Sequence, residues 1–182
     1  MARLQRGRLV NRRIIYQGKI VSLEVDDIEY NGRPALREVV RHPGGVVVLA
    51  EVEADRIAFV RQHRYPLDCE LLELPAGKLD AGEDPALAAA RELEEETGYR
   101  PLELELVCSY FTTPGFCDEL LRFFYTRRVQ RHAADPEFDE ELHLELYSLE
   151  QALHMIASGE IRDGKTIAAL FWLAWRRTVT PV

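Results

Sequence analysis

Between residues 20 and 40, Val21, Leu23 and Val25 interleave with polar residues, the period-two signature of a half-buried strand, and Asn31-Gly32 supplies the positive-φ pair of a tight hairpin turn. Residues 45–51 and 56–62 carry apolar strand formers on either side of a polar turn at 52–55. They predict a second hairpin whose first strand is apolar enough to be central. Further strands are predicted at 102–110, where Leu102, Leu104 and Leu106 alternate with Glu103 and Glu105, at 119–129 and at Leu142–Tyr147. Three segments are punctuated as helices. Pro85–Thr97 opens on a proline and ends at Gly98, Ser148 and Gln151 have capping-box spacing, and Asp163 precedes the apolar set Ile167, Ala168, Leu170, Phe171 and Leu173. Core packing against a sheet is the expectation for Phe171, Trp172 and Trp175 on the last of them.

The 182 residues, 47% of them apolar, suffice for one good core and are too few for two ordinary domains. A formal charge of −8 argues against a general nucleic-acid or anionic-membrane binder and leaves an acidic metal pocket open. Cys69, Cys108 and Cys117 are odd in number and lack CxxC spacing, which fits a reducing cytoplasm better than a disulfide framework. The longest apolar stretches, 45–50 and 167–175, fall short of the ~20 residues of a membrane span. The arginines at 3, 6, 8, 12 and 13 precede no apolar signal core, so a solvated arm or an edge strand is expected there.

On the first predicted helix, Glu92, Glu95 and Glu96 fall within a sector of roughly 100°, beside an apolar face of Ala86, Ala89, Ala90 and Leu93. Like charges at these spacings repel by a few tenths of a kcal/mol per pair, with only Arg91 nearby to compensate. A divalent cation reverses that sign, and magnesium in particular takes oxygen ligands shared between carboxylates and substrate phosphates. A bare EEE run is more often a solvated acidic face.

The context of this run changes that reading. The segment GKLDAGEDPALAAARELEEETGY places Gly77, Glu83, Arg91, Glu92, Leu93, Glu95, Glu96, Gly98 and Tyr99 on the pattern G-x5-E-x7-R-E-U-x-E-E-x-G-U, where U is bulky and apolar. The chain thereby resembles the Nudix hydrolases. The resemblance implies an α/β/α sandwich with a mixed sheet, and Mg2+-dependent (or Mn2+-dependent) hydrolysis of a nucleoside diphosphate linked to another moiety. It implies metal binding by Glu92, Glu95, Glu96 and the carbonyl of Ala76. Arg91 orients these acids, Glu83 pairs with Arg91, and Gly77 and Gly98 shape the flanking turns.

Two segments outside the box narrow the substrate. RQHRYPLDCELLELPAGKL resembles the approach to the box in nucleotide-sugar pyrophosphatases, and Pro114, sixteen residues after Gly98 in SYFTTPGFCDE, resembles the proline marker of the ADP-ribose pyrophosphatase subgroup. The likeness implies substrate contacts from Arg64, Pro114, Gly115, Arg37 and Glu38, although an isolated arginine or a Pro-Gly pair is ordinarily plain surface or a turn. A general base is expected in the acidic loop holding Glu137, Asp139, Glu140 and Glu141, with Glu140 first and Glu141 next, and catalytic roles are assigned to both with Arg91 and Glu95.

The subgroup likeness further implies a homodimer built through a small N-terminal antiparallel ribbon, residues 1–42, ahead of a Nudix domain over 43–182. The substrate expected is ADP-ribose, cleaved to AMP and ribose 5-phosphate. Alternatives are a pyrophosphatase for another nucleotide sugar such as GDP-mannose, a non-catalytic nucleotide-sensing module and, disfavoured by the charge, an RNA pyrophosphohydrolase.

Overall fold

In the computed structural model, which describes residues 6–132 and 141–179, Asn31 and Gly32 adopt φ of 54° and 72° and close the hairpin that the Asn-Gly pair predicts. The chain divides into two compact units, one holding residues up to 44 together with 110–121, the other 45–109 together with 122 onward.

In the first unit, β1 (Arg8–Gln17), β2 (Ser22–Tyr30) and β3 (Arg33–Arg41) form a three-stranded antiparallel sheet in sequence order. Of the N-terminal arginines, Arg8, Arg12 and Arg13 thus lie on an edge strand, and their charges answer the acids of β2. Arg8 pairs with Glu29 at 2.9 Å, and Arg12 donates twice to Asp26 at 2.8 Å. Residues 113–117 form a turn beside β3, with Val40 N–H donating to the Phe116 carbonyl and Asp118 N–H to the Val40 carbonyl.

The other described elements are β4 (Gly45–Glu53), β5 (Arg56–Arg64), a 3-10 turn at Tyr65–Leu67, β6 (Cys69–Glu73), β7 (Ala76–Lys78), α1 (Pro85–Thr97), β8 (Tyr99–Pro101), β9 (Glu105–Phe111), β10 (Leu120–Thr126), β11 (Val129–Arg131), β12 (Leu142–Tyr147), α2 (Leu149–Ser158) and α3 (Gly164–Val179). A seven-stranded mixed sheet runs β12-β5-β4-β10-β9, with β6 on β5 and β7 on β4, and β8 pairs with β11 apart from it. The expected α/β class with a small N-terminal antiparallel sheet is the architecture found. Val46–Ala50 of β4 is fully buried, as its apolar run predicts.

Against β4, α1 packs Ala88, Ala89 and Leu93 onto Val46, Val48, Ala50 and Phe124. The face expected from sequence is rotated: Ala86 is exposed, Ala90 half-buried, and Glu96 joins the buried side at 7% exposure. One of the three carboxylates therefore lies against the sheet rather than in solvent.

Three other expectations change. The strand predicted at 102–110 begins only at Glu105, because Leu102 N–H bonds the Arg128 carbonyl and Leu104 turns into the α1 core. The run predicted at 119–129 breaks into β10 and β11 where Thr126 Oγ1 caps the turn at Arg128. On α3, Leu170 and Leu173 are buried and Trp172 meets Phe123 and Tyr125 edge-on at 5.1 and 5.2 Å, but Phe171 and Trp175 are exposed, outside the buried arc. Among the described residues no helix is long and apolar enough to cross a membrane.

Candidate active site

The loop and helix that carry the box are set by local chemistry. Asp84 caps α1 by accepting from Ala86 N–H at 2.8 Å and Leu87 N–H at 3.2 Å, Pro85 fills the first turn, and Gly98 ends the helix at φ 69° while its N–H bonds the Glu94 carbonyl. Before the helix, the Pro75 carbonyl accepts from Val48 N–H at 2.9 Å, and Ala76 and Gly77 pair with Val47 and Val46. β7 is thereby fastened to the buried central strand, and it presents its backbone to α1.

Arg91 organises the acids. Its Nε and Nη2 donate to the two oxygens of Glu83 at 3.1 and 3.2 Å, and its Nη1 lies 2.9 Å from Glu92 Oε1 and 3.0 Å from Glu95 Oε2. The Glu83 pair holds the guanidinium protonated, and the Glu83 carboxyl titrates below its usual range through Arg91 and a bond from Asp80 N–H. Glu96, on the buried side, accepts from Ala76 N–H at 3.2 Å. Gly77 lies so close to Glu92 that a Cβ there meets the carboxylate carbon at 2.0 Å. Only a glycine lets the two approach in this way.

Beside this face Arg64, a sequence candidate, belongs to a cluster whose other members sequence reasoning did not assemble. Glu73, 1% exposed, accepts from Arg64 Nε and Nη2 at 2.7 and 2.8 Å and pairs with Lys165 from α3, which in turn lies 3.0 Å from Asp163. Burial pushes the Glu73 carboxyl up, but Arg64 and Lys165 outweigh it and hold the group at about 2. Arg64 is kept protonated chiefly by Glu73, with Glu96 and Asp163 adding to the field, so Arg64 lies within electrostatic reach of the box. Its fork is turned to Glu73. Thr166, fully buried, accepts from Leu74 N–H at 2.9 Å and donates to Asp163 at 2.6 Å. The sequence signals for this cluster were Arg64 and its segment, through family likeness, and Asp163 before α3; the roles of Lys165 and Thr166 carried none.

Thus Arg64, Ala76, Arg91, Glu92, Glu95 and Glu96 all belong to the second unit. Arg37 and Glu38 are exposed residues of β3, opposite Asp26 and Val25, and Pro114 and Gly115 form the turn at 113–117; these four belong to the first unit. Glu141 is exposed, 3.7 Å from His143, immediately before Leu142, which pairs with Gln62 of β5. Glu137, Asp139 and Glu140 lie outside the described residues.

The donor set is made of carboxylates and main-chain oxygen, the chemistry that hard divalent cations prefer. Among the described residues, no three His, Cys, Asp or Glu are already drawn together as a metal cluster. Glu92 and Glu95 lean on Arg91 and Glu96 on Ala76 N–H, so the carboxylates share one helix face while protein donors hold each in place. The chemistry of these residues fits a hard cation, which would have to compete with Arg91 for Glu92 and Glu95.

A family profile described as the NUDIX domain matches residues 41–170. The chain is 41% identical over 162 residues to an ADP-ribose pyrophosphatase of Bacillus subtilis (strain 168), spanning 87% of this chain and 88% of that one. It is 40% identical over 176 residues to a methanol dehydrogenase activator of Bacillus methanolicus, spanning 95% of each. A crystal structure of an ADP compounds hydrolase shares its fold, with a TM-score of 0.87 over 100% of both chains at 18% identity. With the profile match over well more than half its length and two such relatives, the chain belongs to the NUDIX domain family.

Proposed function

We propose that this chain, a Nudix pyrophosphohydrolase, hydrolyses the diphosphate of ADP-ribose to AMP and ribose 5-phosphate with Mg2+, or Mn2+ in its place. The observation that carries the reading is the box itself, with Arg91 bonded to Glu83 and Glu95, Glu92 against Gly77 and Glu96 on the Ala76 N–H. The B. subtilis relative supports the choice of substrate.

In this reading Glu92, Glu95, Glu96 and the Ala76 carbonyl hold the metal. When bound, it neutralises charge on the diphosphate oxygens and lowers the pKa of an attacking water. Arg91 orients Glu92 and Glu95 and keeps their mutual repulsion in check. Arg64 meets the diphosphate through Nη1, the nitrogen that takes part in neither bond to Glu73. Glu140, with Glu141 next, takes the proton from water as its oxygen bonds to phosphorus, and the departing phosphate oxygen leaves with the other product. Arg37, Glu38, Pro114 and Gly115 are assigned to substrate binding on family likeness.

We assign the working form to a cytoplasmic homodimer, with residues 1–42 as the dimerisation ribbon and 43–182 as the hydrolase domain. Support comes from β1, which leaves Leu9, Val10, Ile14, Ile15 and Tyr16 exposed along one strand, an apolar surface of the kind that association covers. A second reading, activation of a dehydrogenase, is favoured by the extent of the match to the B. methanolicus protein.

Chromatographic product analysis over ADP-ribose, GDP-mannose and a short capped RNA, each with Mg2+ and with EDTA, tests the proposal. AMP from ADP-ribose in the Mg2+ arm is the expected result. GMP from GDP-mannose alone transfers the function to that sugar nucleotide, and saturable nucleotide binding without turnover supports a sensor. An effect seen only when a dehydrogenase is present supports the second reading.

A further inference from the structure

The first turn of α3 reaches across to the segment that leads into the box. Thr166 has its backbone N–H capped by Asp163 at 2.9 Å, a local bond of the helix start, yet its hydroxyl also accepts from Leu74 N–H, 92 positions away. Thr166 and Leu74 are both fully buried, so water cannot replace that bond. Lys165 does the same for the preceding residue, pairing with the buried Glu73 that grips Arg64. Two residues beyond Leu74, Ala76 N–H donates to Glu96. Pro75 lies between them, and its fixed φ makes residues 74–76 a stiff link.

We propose that Thr166 and Lys165 are positioning residues of the box: from α3 they fix residues 73–76, and through them Glu96 and Arg64, and so set the affinity for the divalent cation. The inference rests on the Nudix reading above and adds to it a helix that contributes no ligand. Removing the Thr166 hydroxyl leaves the Leu74 N–H buried without an acceptor. The stiff link then shifts to regain one, and Ala76 carries the shift to Glu96. Removing the Lys165 charge leaves Glu73 to Arg64 alone and alters where that guanidinium is held.

The test uses the full chain, Thr166→Val, which keeps the side-chain volume, Thr166→Ser, which restores the hydroxyl, and Lys165→Met. Two readouts are taken without substrate: Mn2+ binding by electron paramagnetic resonance, and amide hydrogen exchange of the metal-free protein. Thr166→Val is expected to weaken Mn2+ binding roughly 10- to 100-fold, the range seen when a ligand's supporting partner is lost. It speeds exchange at Leu74 and Ala76 while leaving Gly98 unchanged, and Thr166→Ser returns both close to wild type. A generally destabilised protein does not confine the change to residues 74–76 or recover it with serine. If Thr166→Val does not fold, Lys165→Met decides through the Mn2+ affinity. Wild-type affinity in folded Thr166→Val and Lys165→Met overturns the positioning role alone. A wild-type chain that binds no Mn2+ overturns this inference and the metal-dependent reading together.

Discussion

Replacing Gly77 with alanine sets a Cβ 2.0 Å from both Cδ and Oε1 of Glu92 and 2.4 Å from Oε2. Carbon and oxygen in contact settle near about 3.5 Å, so the carboxylate must retreat by about 1.5 Å. It is the far end of a flexible side chain, so the side chain rather than β7 or the helix backbone is expected to take up the shift. The stability cost is therefore small. Weakening the partly buried Arg91–Glu92 pair forfeits on the order of 1 kcal/mol, which lowers Tm by about 2–4 °C in a chain of this size. The chemical cost is large, because ligand distances tolerate only about 0.2 Å and a misplacement of about 1 Å costs on the order of 100-fold in rate. Steady-state hydrolysis of ADP-ribose by Gly77→Ala, alongside a thermal melt, is expected to show a fall of about 100-fold with the fold retained. A folded variant with wild-type turnover refutes the reasoning, since Glu92 has then moved without consequence.

Three other predictions address separate parts of the structure. Glu73 titrates at about 2 in the folded chain against 4.5 for the ordinary side chain. Its contribution of about 3 kcal/mol is thus fully present above pH ~4.5 and lost as pH falls through ~2; urea unfolding against pH should show a steeper acid loss in wild type than in Glu73→Gln, and equal slopes contradict the assignment. Asp84→Ala removes the acceptor for two helix N–H groups and should cost about 1 kcal/mol in denaturant unfolding; an unchanged midpoint contradicts the capping role. Ile14→Asp puts a charge on the exposed apolar strand β1 and should shift sedimentation from dimer to monomer, whereas a dimer that persists places the interface elsewhere.

What the sequence made legible was mostly local. The Asn31-Gly32 turn, the Pro85 and Gly98 boundaries of α1 and the reciprocal Ser148–Gln151 capping box of α2 each depend on residues within a few positions of one another, and each is present. The box was legible for the same reason, since the helical period puts Arg91 within reach of Glu95 and its spacing matches a family pattern. Long-range choices were not. Which arc of α1 is buried depends on where β4 lies, so Glu96 took a place that periodicity had given to Ala86 and Ala90. The Glu73–Lys165 pair and the Thr166 bond to Leu74 join residues 92 apart, and no local pattern announces them. Phe171 and Trp175 look like core by composition, yet they fall outside the arc that α3 buries.

Hydrolysis of a nucleotide sugar is assigned to the carboxylate face of α1 acting with a divalent cation. It is tested most directly by AMP release from ADP-ribose, measured for wild type and Glu92→Gln with Mg2+ and with EDTA, and with folding checked by circular dichroism. Turnover is expected in wild type with Mg2+, none with EDTA, and a loss of several orders of magnitude in folded Glu92→Gln. Equal turnover in the two proteins, or turnover indifferent to EDTA, contradicts it.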